Sequence, residues 1–154
     1  MKRREILLGS VALGLVGSGP AAAAGDFEIT RSKAEWKAML TPLQYKVMRE
    51  HGTERAFSSP LDKNYEKGVY HCRGCDLKLY SSKHKYDSGT GWPSFYKSLS
   101  NAVGTQPDRL LLRVRTEVHC RRCGSHLGHI FDDGPKPTGK RHCLNGVSLV
   151  FKAA

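Results

Sequence analysis

Two pairs of cysteines with the same internal spacing constrain this chain more than any other feature. Cys72-Arg73-Gly74-Cys75 and Cys120-Arg121-Arg122-Cys123 are both C-x-x-C, and 44 residues lie between Cys75 and Cys120. Two intervening residues let both sulfurs of a pair reach one ion. Two pairs complete a tetrahedral four-sulfur shell with Zn–S near ~2.3 Å, which suits zinc and leaves no open position. The interval exceeds the roughly 15–20 residues of a small zinc ribbon, so whole strands must be inserted between the pairs. The ion is then expected to clip two hairpins of one β domain together and to add folding free energy without activating water. Two redox-active C-x-x-C disulfides, or mixed disulfides in an oxidising compartment, are the competing readings. A fifth cysteine, Cys143, makes the count odd, so at least one sulfur has another task.

The 154 residues, 39% hydrophobic and 25% charged, suffice for one packed domain and leave little room for a second. No apolar run reaches the roughly 18–20 residues of a membrane span. Lys2, Arg3 and Arg4 precede an apolar stretch from Ile6 to Val16, and Pro20 leads into Ala21–Ala24. That order is expected of an export signal over residues 1–24, with residues 25–154 as the mature domain. Adjacent Arg3-Arg4 favours a twin-arginine signal, which carries folded, metal-loaded cargo, although Lys2 stands where a polar residue is usual. A general secretory signal and a retained anchor are the alternatives. The expected location is the periplasm, with no membrane anchor after cleavage.

Cleavage removes three bases and one acid, taking the formal charge from +11 to +9. The bases are scattered, with no dense run longer than Arg121-Arg122. A solvated surface that speeds encounter with acidic partners therefore fits better than nucleic-acid binding.

Ser32-Lys33-Ala34-Glu35 is a capping box, after which Trp36, Met39 and Leu40 fall on one helical face. Thr41-Pro42-Leu43-Gln44 starts a second helix, with Leu43, Val47 and Met48 expected inward and Gly52 as the left-handed stop. Beyond Gly68 the apolar period changes to two. Strands are expected at 68–72 and 77–80 around a turn at Arg73-Gly74, at 109–119 on the alternation of Leu110, Leu112, Val114, Thr116 and Val118, and at 147–151. Gly89–Pro93 and Gly134–Pro137 mark loops.

Cys143 stands in Arg141-His142-Cys143-Leu144-Asn145-Gly146, downstream of Ser125-His126-Leu127-Gly128-His129. A lone cysteine with separate histidines is a candidate nucleophile with an acid/base partner, or equally a buried filler beside core histidines. Three ordered motifs add weight: Gly91-Trp92-Pro93-Ser94-Phe95, Cys120-x-x-Cys123 leading into His126-Leu127-Gly128-His129, and Arg141-His142-Cys143-Leu144-Asn145. Together with Gly52–Phe57 and Lys85–Gly89 they closely resemble the B-type methionine-R-sulfoxide reductase family, from about Thr30 to Phe151.

That resemblance implies a mainly β fold of two antiparallel sheets, tent- or barrel-like, with short N-terminal helices and one structural zinc held by Cys72, Cys75, Cys120 and Cys123. It implies Cys143 as nucleophile, His129 as the donor that protonates the sulfoxide oxygen, His126 beside it, and Asn145 near the nucleophile. Trp92, Phe95 and Arg141 are implied on the substrate side. The chemistry is consistent: a sulfoxide needs a thiolate aimed at sulfur, a proton at oxygen, and an apolar shelf for its methyl group. Arg141 and the histidines are expected to help ionise the thiol. Cys143 would become a sulfenic acid, which a second thiol must resolve.

Many family members carry a resolving cysteine just before Trp-Pro-Ser-Phe, but here that residue is Thr90. An external thioredoxin-like dithiol or a small thiol is therefore the expected reductant, acting on a monomer whose substrates are oxidised proteins. A zinc-ribbon binding module would leave Cys143, the His pair and Trp92 idle. A thiol–disulfide oxidoreductase would call for a thioredoxin-like βαβ order that the sequence lacks.

Overall fold

The protein is described by a computed structural model covering residues 27–109 and 112–154. The expected export signal at residues 1–24 lies outside the described residues, as does Leu110 of the strand expected at 109–119.

Two short helices come first, α1 (Lys33–Met39) and α2 (Pro42–Glu50). Both begin with a complete capping box, Ser32 with Glu35 and Thr41 with Gln44. Trp36, Leu40, Val47 and Met48 are buried, but Met39 and Leu43 are about half exposed, contrary to the helical-face pattern. A helix of two turns covers too little surface to bury every apolar residue on its stripe. The left-handed residue ending α2 is His51 (φ 55°), one earlier than expected. Gly52 matters for another reason: a Cβ there would stand 2.9 Å from the Lys46 carbonyl oxygen that its own N–H bonds at 3.0 Å.

Among the described residues nine strands follow, in two antiparallel sheets. The smaller holds β2 (Lys78–Ser81), β1 (Gly68–Cys72) and β9 (Leu149–Ala153) in that order. The larger runs β3 (Lys85–Tyr86), β4 (Ser94–Phe95), β8 (Arg141–Leu144), β7 (His126–Phe131), β6 (Arg115–Cys120) and β5 (Val103–Asp108). The last strand begins two residues later than expected, because Gly146–Ser148 forms a single 3₁₀ turn first.

The strand expected at 109–119 starts only at Arg115, and Leu112 and Val114 before it are exposed. The sheet requires a hairpin here: Asp108 pairs with Arg115, and the intervening residues connect β5 to β6. Their alternation mimicked a strand without a partner to pair with. β5 itself was unreadable, since Gly104, Gln106 and Pro107 carry little β signal. An edge strand tolerates such residues because one of its sides makes no ladder bonds.

Side chains alternate across the larger sheet, and the two faces have different composition. Val118, Leu127, Leu144 and Phe95 point into the apolar core with Tyr70, Tyr80 and Leu149 from the smaller sheet. The opposite face carries Asp108, Arg115, Glu117, His129, Arg141 and Cys143, aligned by the pairings Asp108 to Arg115, Glu117 to His129, His129 to Cys143, and Phe131 to Arg141. His126 would fall on the core face in a regular strand, being three residues from His129. A bulge intervenes, because His119 pairs with His126 while Val118 pairs with Gly128, and the extra residue returns His126 to the polar face.

Candidate active site and metal centre

The four paired cysteines meet where the two sheets meet. Cys72 and Cys75 bracket the turn leaving β1, and Cys120 and Cys123 bracket the turn leaving β6. Their sulfurs all lie within 4.8 Å of one another, with Cys72 to Cys123 at 3.6 Å and Cys75 to Cys120 at 3.5 Å. A tetrahedron of sulfurs around zinc has edges of about 3.8 Å for Zn–S of about 2.3 Å, so the cluster fits that ion. All five cysteines are free, and the gathering of four sulfurs at one point favours a metal over two separate redox pairs. The site clips one sheet to the other, as the long interval between the pairs required.

Backbone and helices lock the clip. Gly124 takes φ 67°, and a Cβ there would stand 2.3 Å from the Phe27 ring. Arg49 donates from α2 to the Cys123 carbonyl at 3.1 Å, Arg31 donates to the Gly74 carbonyl at 3.1 Å, and both guanidiniums stack on Trp36. The N-terminal helices therefore cover the metal end.

Cys143 lies on the polar face of the larger sheet, at one cavity of about 120 Å³ lined also by Thr53, Trp92, Arg115, His129, Phe131, Leu144 and Asn145. The sequence-derived set thus converges in part. Cys143, His129, Trp92 and Asn145 line this cavity. Thr90 stands directly beside Cys143, its hydroxyl 4.0 Å from the sulfur. The Trp92 indole N–H donates to the Glu54 carbonyl at 3.1 Å, which fixes the ring as one wall.

Two residues sit elsewhere than expected. Phe95 is fully buried on the core face, packed against Tyr70 and Tyr80 with ring centroids 5.0 and 4.7 Å away. One step of strand alternation puts it opposite the site, so it supports the core. Arg141 is absent from the cavity lining: it makes a bidentate pair with Asp133 at 2.8 Å and stacks on Phe131. His126 stands beside His129, with ring centroids 5.3 Å apart, but behind the cavity wall, its Nδ1 bonded to Glu117 at 2.8 Å.

Residues 40–153 match the SelR domain family. A peptide methionine sulfoxide reductase MsrB of Methanosarcina barkeri is 56% identical over 125 residues, spanning 80% of this chain and 88% of that protein. The MsrB of Leptospira interrogans is 48% identical over 128 residues, 82% of this chain and 98% of its own length. The chloroplastic peptide methionine sulfoxide reductase B1 of Arabidopsis thaliana is 50% identical over 123 residues, 79% of this chain and 61% of that protein. This chain belongs to the MsrB family.

The electrostatics of this MsrB-family site differ from expectation at Cys143. Burial pushes the Cys143 thiol above its ordinary value, and the Arg141 charge and the Thr90 hydroxyl only partly oppose it. No histidine lowers it, since His126 and His129 bond carboxylates instead, and the resting sulfur is a protonated thiol at neutral pH. His129 is lowered, again chiefly by burial, with its bond to Asp108 pulling the other way. Glu117 is buried, which alone would raise it, yet bonds from His126, His51 and Gln106 together hold it well below the carboxylate range.

Several supporting residues escaped the sequence reading. Glu54 is buried and accepts from the N–H groups of Gly146 at 2.5 Å and Val147 at 3.0 Å, while its own N–H is held by Asn145 at 2.9 Å. Asn145 also donates to the Leu127 carbonyl at 3.1 Å, so it braces the turn after Cys143. Asp108, Glu117 and His51 form the carboxylate and imidazole layer behind the histidines. The available signal was Gln106, Asp108, Arg115 and Glu117 at period-two spacing, legible only once β5 is known to be a strand.

Proposed function

We propose that this oxidoreductase of the MsrB family reduces the R epimer of methionine sulfoxide in proteins through a sulfenic acid on Cys143. The carrying observation is that Cys143, His129 and Trp92 line one small cavity. Trp92, Phe131 and Leu144 offer apolar wall to the substrate methyl, and His129 is paired in register with Cys143 across the ladder. Because the thiol is protonated at rest and His129 is neutral, the imidazole takes the thiol proton as sulfur attacks and hands it to the sulfoxide oxygen. The sulfur–oxygen bond of the sulfoxide breaks. Methionine leaves reduced, and Cys143 leaves oxidised as S–OH, with no net proton consumed.

Recycling follows from Thr90. With no cysteine beside Cys143 and the other four sulfurs forming the zinc shell, an external thiol attacks the sulfenic acid and water departs. A second thiol then releases Cys143 with a disulfide as co-product. Zinc, when bound, supplies a closed structural cross-link. A thioredoxin-like protein or a small thiol fits as reductant, and a monomer suffices, since one chain supplies the whole cavity. Periplasmic export on the residues 1–24 signal completes the reading; replacing Arg3-Arg4 with two lysines and fractionating cells checks it, since protein still reaching the periplasm would count against the twin-arginine route.

The direct test is turnover of each methionine sulfoxide epimer with dithiothreitol, beside Cys143→Ser. The R epimer is expected to be reduced by the wild type and not measurably by the variant. Equal turnover by Cys143→Ser would end the proposal.

A further inference from the structure

The reaction proposed above needs His129 in a single protonation pattern, and the neighbouring strand supplies the means. We propose that Asp108 is a positioning residue that fixes the tautomer of His129, so that Nδ1 is the ring atom carrying protons between Cys143 and the sulfoxide oxygen. His129 Nε2 lies 2.7 Å from Asp108 Oδ2, and Arg115 Nη2 donates to the same oxygen at 2.6 Å. An ionised carboxylate only accepts, so Nε2 must carry the hydrogen between them. In a neutral imidazole the other nitrogen is then an acceptor. Nδ1 is thereby left to receive the thiol proton, which the protonated resting state of Cys143 demands.

The arrangement is built in, not incidental. Asp108 ends the edge strand β5, is almost buried, and is held in place by its ladder partner Arg115. Burial makes its bond to His129 strong, since little water competes for either group. The titratable and charged groups facing His129 are Asp108 from β5, Arg115 and Glu117 from β6, His126 from its own strand, and Cys143 and Arg141 from β8. His51, at the end of α2, reaches this layer through Glu117. Among these, Asp108 hydrogen-bonds the His129 ring.

Asp108→Leu and Asp108→Asn together test the idea. Leu offers neither Arg115 nor Nε2 an acceptor, whereas the single Asn amide oxygen can stand where Oδ2 does and accept from both. Long-range ¹H–¹⁵N spectra of the full zinc-loaded protein, assigned with a His129→Asn variant, read the tautomer directly. The wild type and Asp108→Asn are expected as Nε2–H, and Asp108→Leu with a raised share of Nδ1–H. The kcat of Asp108→Leu is expected to fall by about 10-fold or more with KM little changed, and Asp108→Asn to recover most of the loss. The acid limb of Asp108→Leu should move to lower pH, because the bond that raises His129 is gone. Unchanged zinc content and Tm would separate this from a folding defect.

A wild-type ring found as Nδ1–H overturns the inference, and so does an Asp108→Leu variant with wild-type kcat. Should the variant fail to fold, the wild-type spectrum still decides. Since the tautomer is read without substrate, its failure is distinct from failure of the reductase reading, in which the wild type itself would reduce no sulfoxide.

Discussion

Cys143 is held between opposing influences, and the balance decides how the site works. Burial raises its thiol while Arg141 and Thr90 lower it, and burial wins. The proposed attack then calls for a proton acceptor, and His129 pairs with Cys143 across the ladder. Thr90 sits close enough to touch the sulfur. Thr90→Cys should therefore capture the sulfenic acid internally. One equivalent of substrate without reductant is expected to give a 90–143 disulfide in the variant, by mass spectrometry after digestion. Wild type should instead retain a dimedone-reactive Cys143. A disulfide from wild-type Cys143 to a zinc-site cysteine would contradict the recycling route.

Within β8, alternation sends Arg141 and Cys143 to the polar face and His142 and Leu144 into the core. His142 is consequently a buried imidazole, bonded through Nδ1 to the Tyr80 hydroxyl at 3.0 Å, and burial pushes its pKa down to about 4. An unfolded histidine titrates near ~6.5, so between those values the unfolded chain binds the extra proton and stability falls as pH drops from ~6.5 towards 4. The loss is of order 1–3 kcal/mol after allowing for partial solvent access. His142→Gln, which keeps a hydrogen-bond partner for Tyr80, should show a shallower decline in urea-unfolding free energy over that window than wild type. Parallel pH slopes for the two proteins would remove His142 as the cause. The bulge in β7 matters at the same scale, because without it His126 would be in the core and Glu117 would lose a donor.

The whole molecule depends on a cross-link between sheets that share few strands' worth of contact. The zinc cluster joins the turn after β1 to the turn after β6, and α1 and α2 lie over it through Trp36, Arg31 and Arg49. Structural zinc in such shells contributes folding free energy directly. About one zinc per chain is expected by elemental analysis. Stripping it with a strong chelator under reducing conditions should lower Tm by at least about 10 °C and abolish turnover with it. A metal-free protein with unchanged Tm would show that packing alone holds the sheets.

The metal clip was legible in the sequence because C-x-x-C is a local geometry: its spacing alone decides that two sulfurs reach one ion. The capping boxes of α1 and α2 were legible for the same reason, and so were β1 and the turn following it. The resemblance singled out Trp92, His129 and Cys143, and in the folded chain the three line one cavity. What the tertiary structure alone decided was which face each residue took. Phe95 and Trp92 lie three residues apart in one motif, yet one is core and the other wall of the site, because strand register and not motif membership sets direction. Asp108 and Glu117 gained their roles only through cross-strand pairing. The raised thiol of Cys143 likewise depends on how much water the folded chain removes, and no count of nearby bases along the sequence measures that.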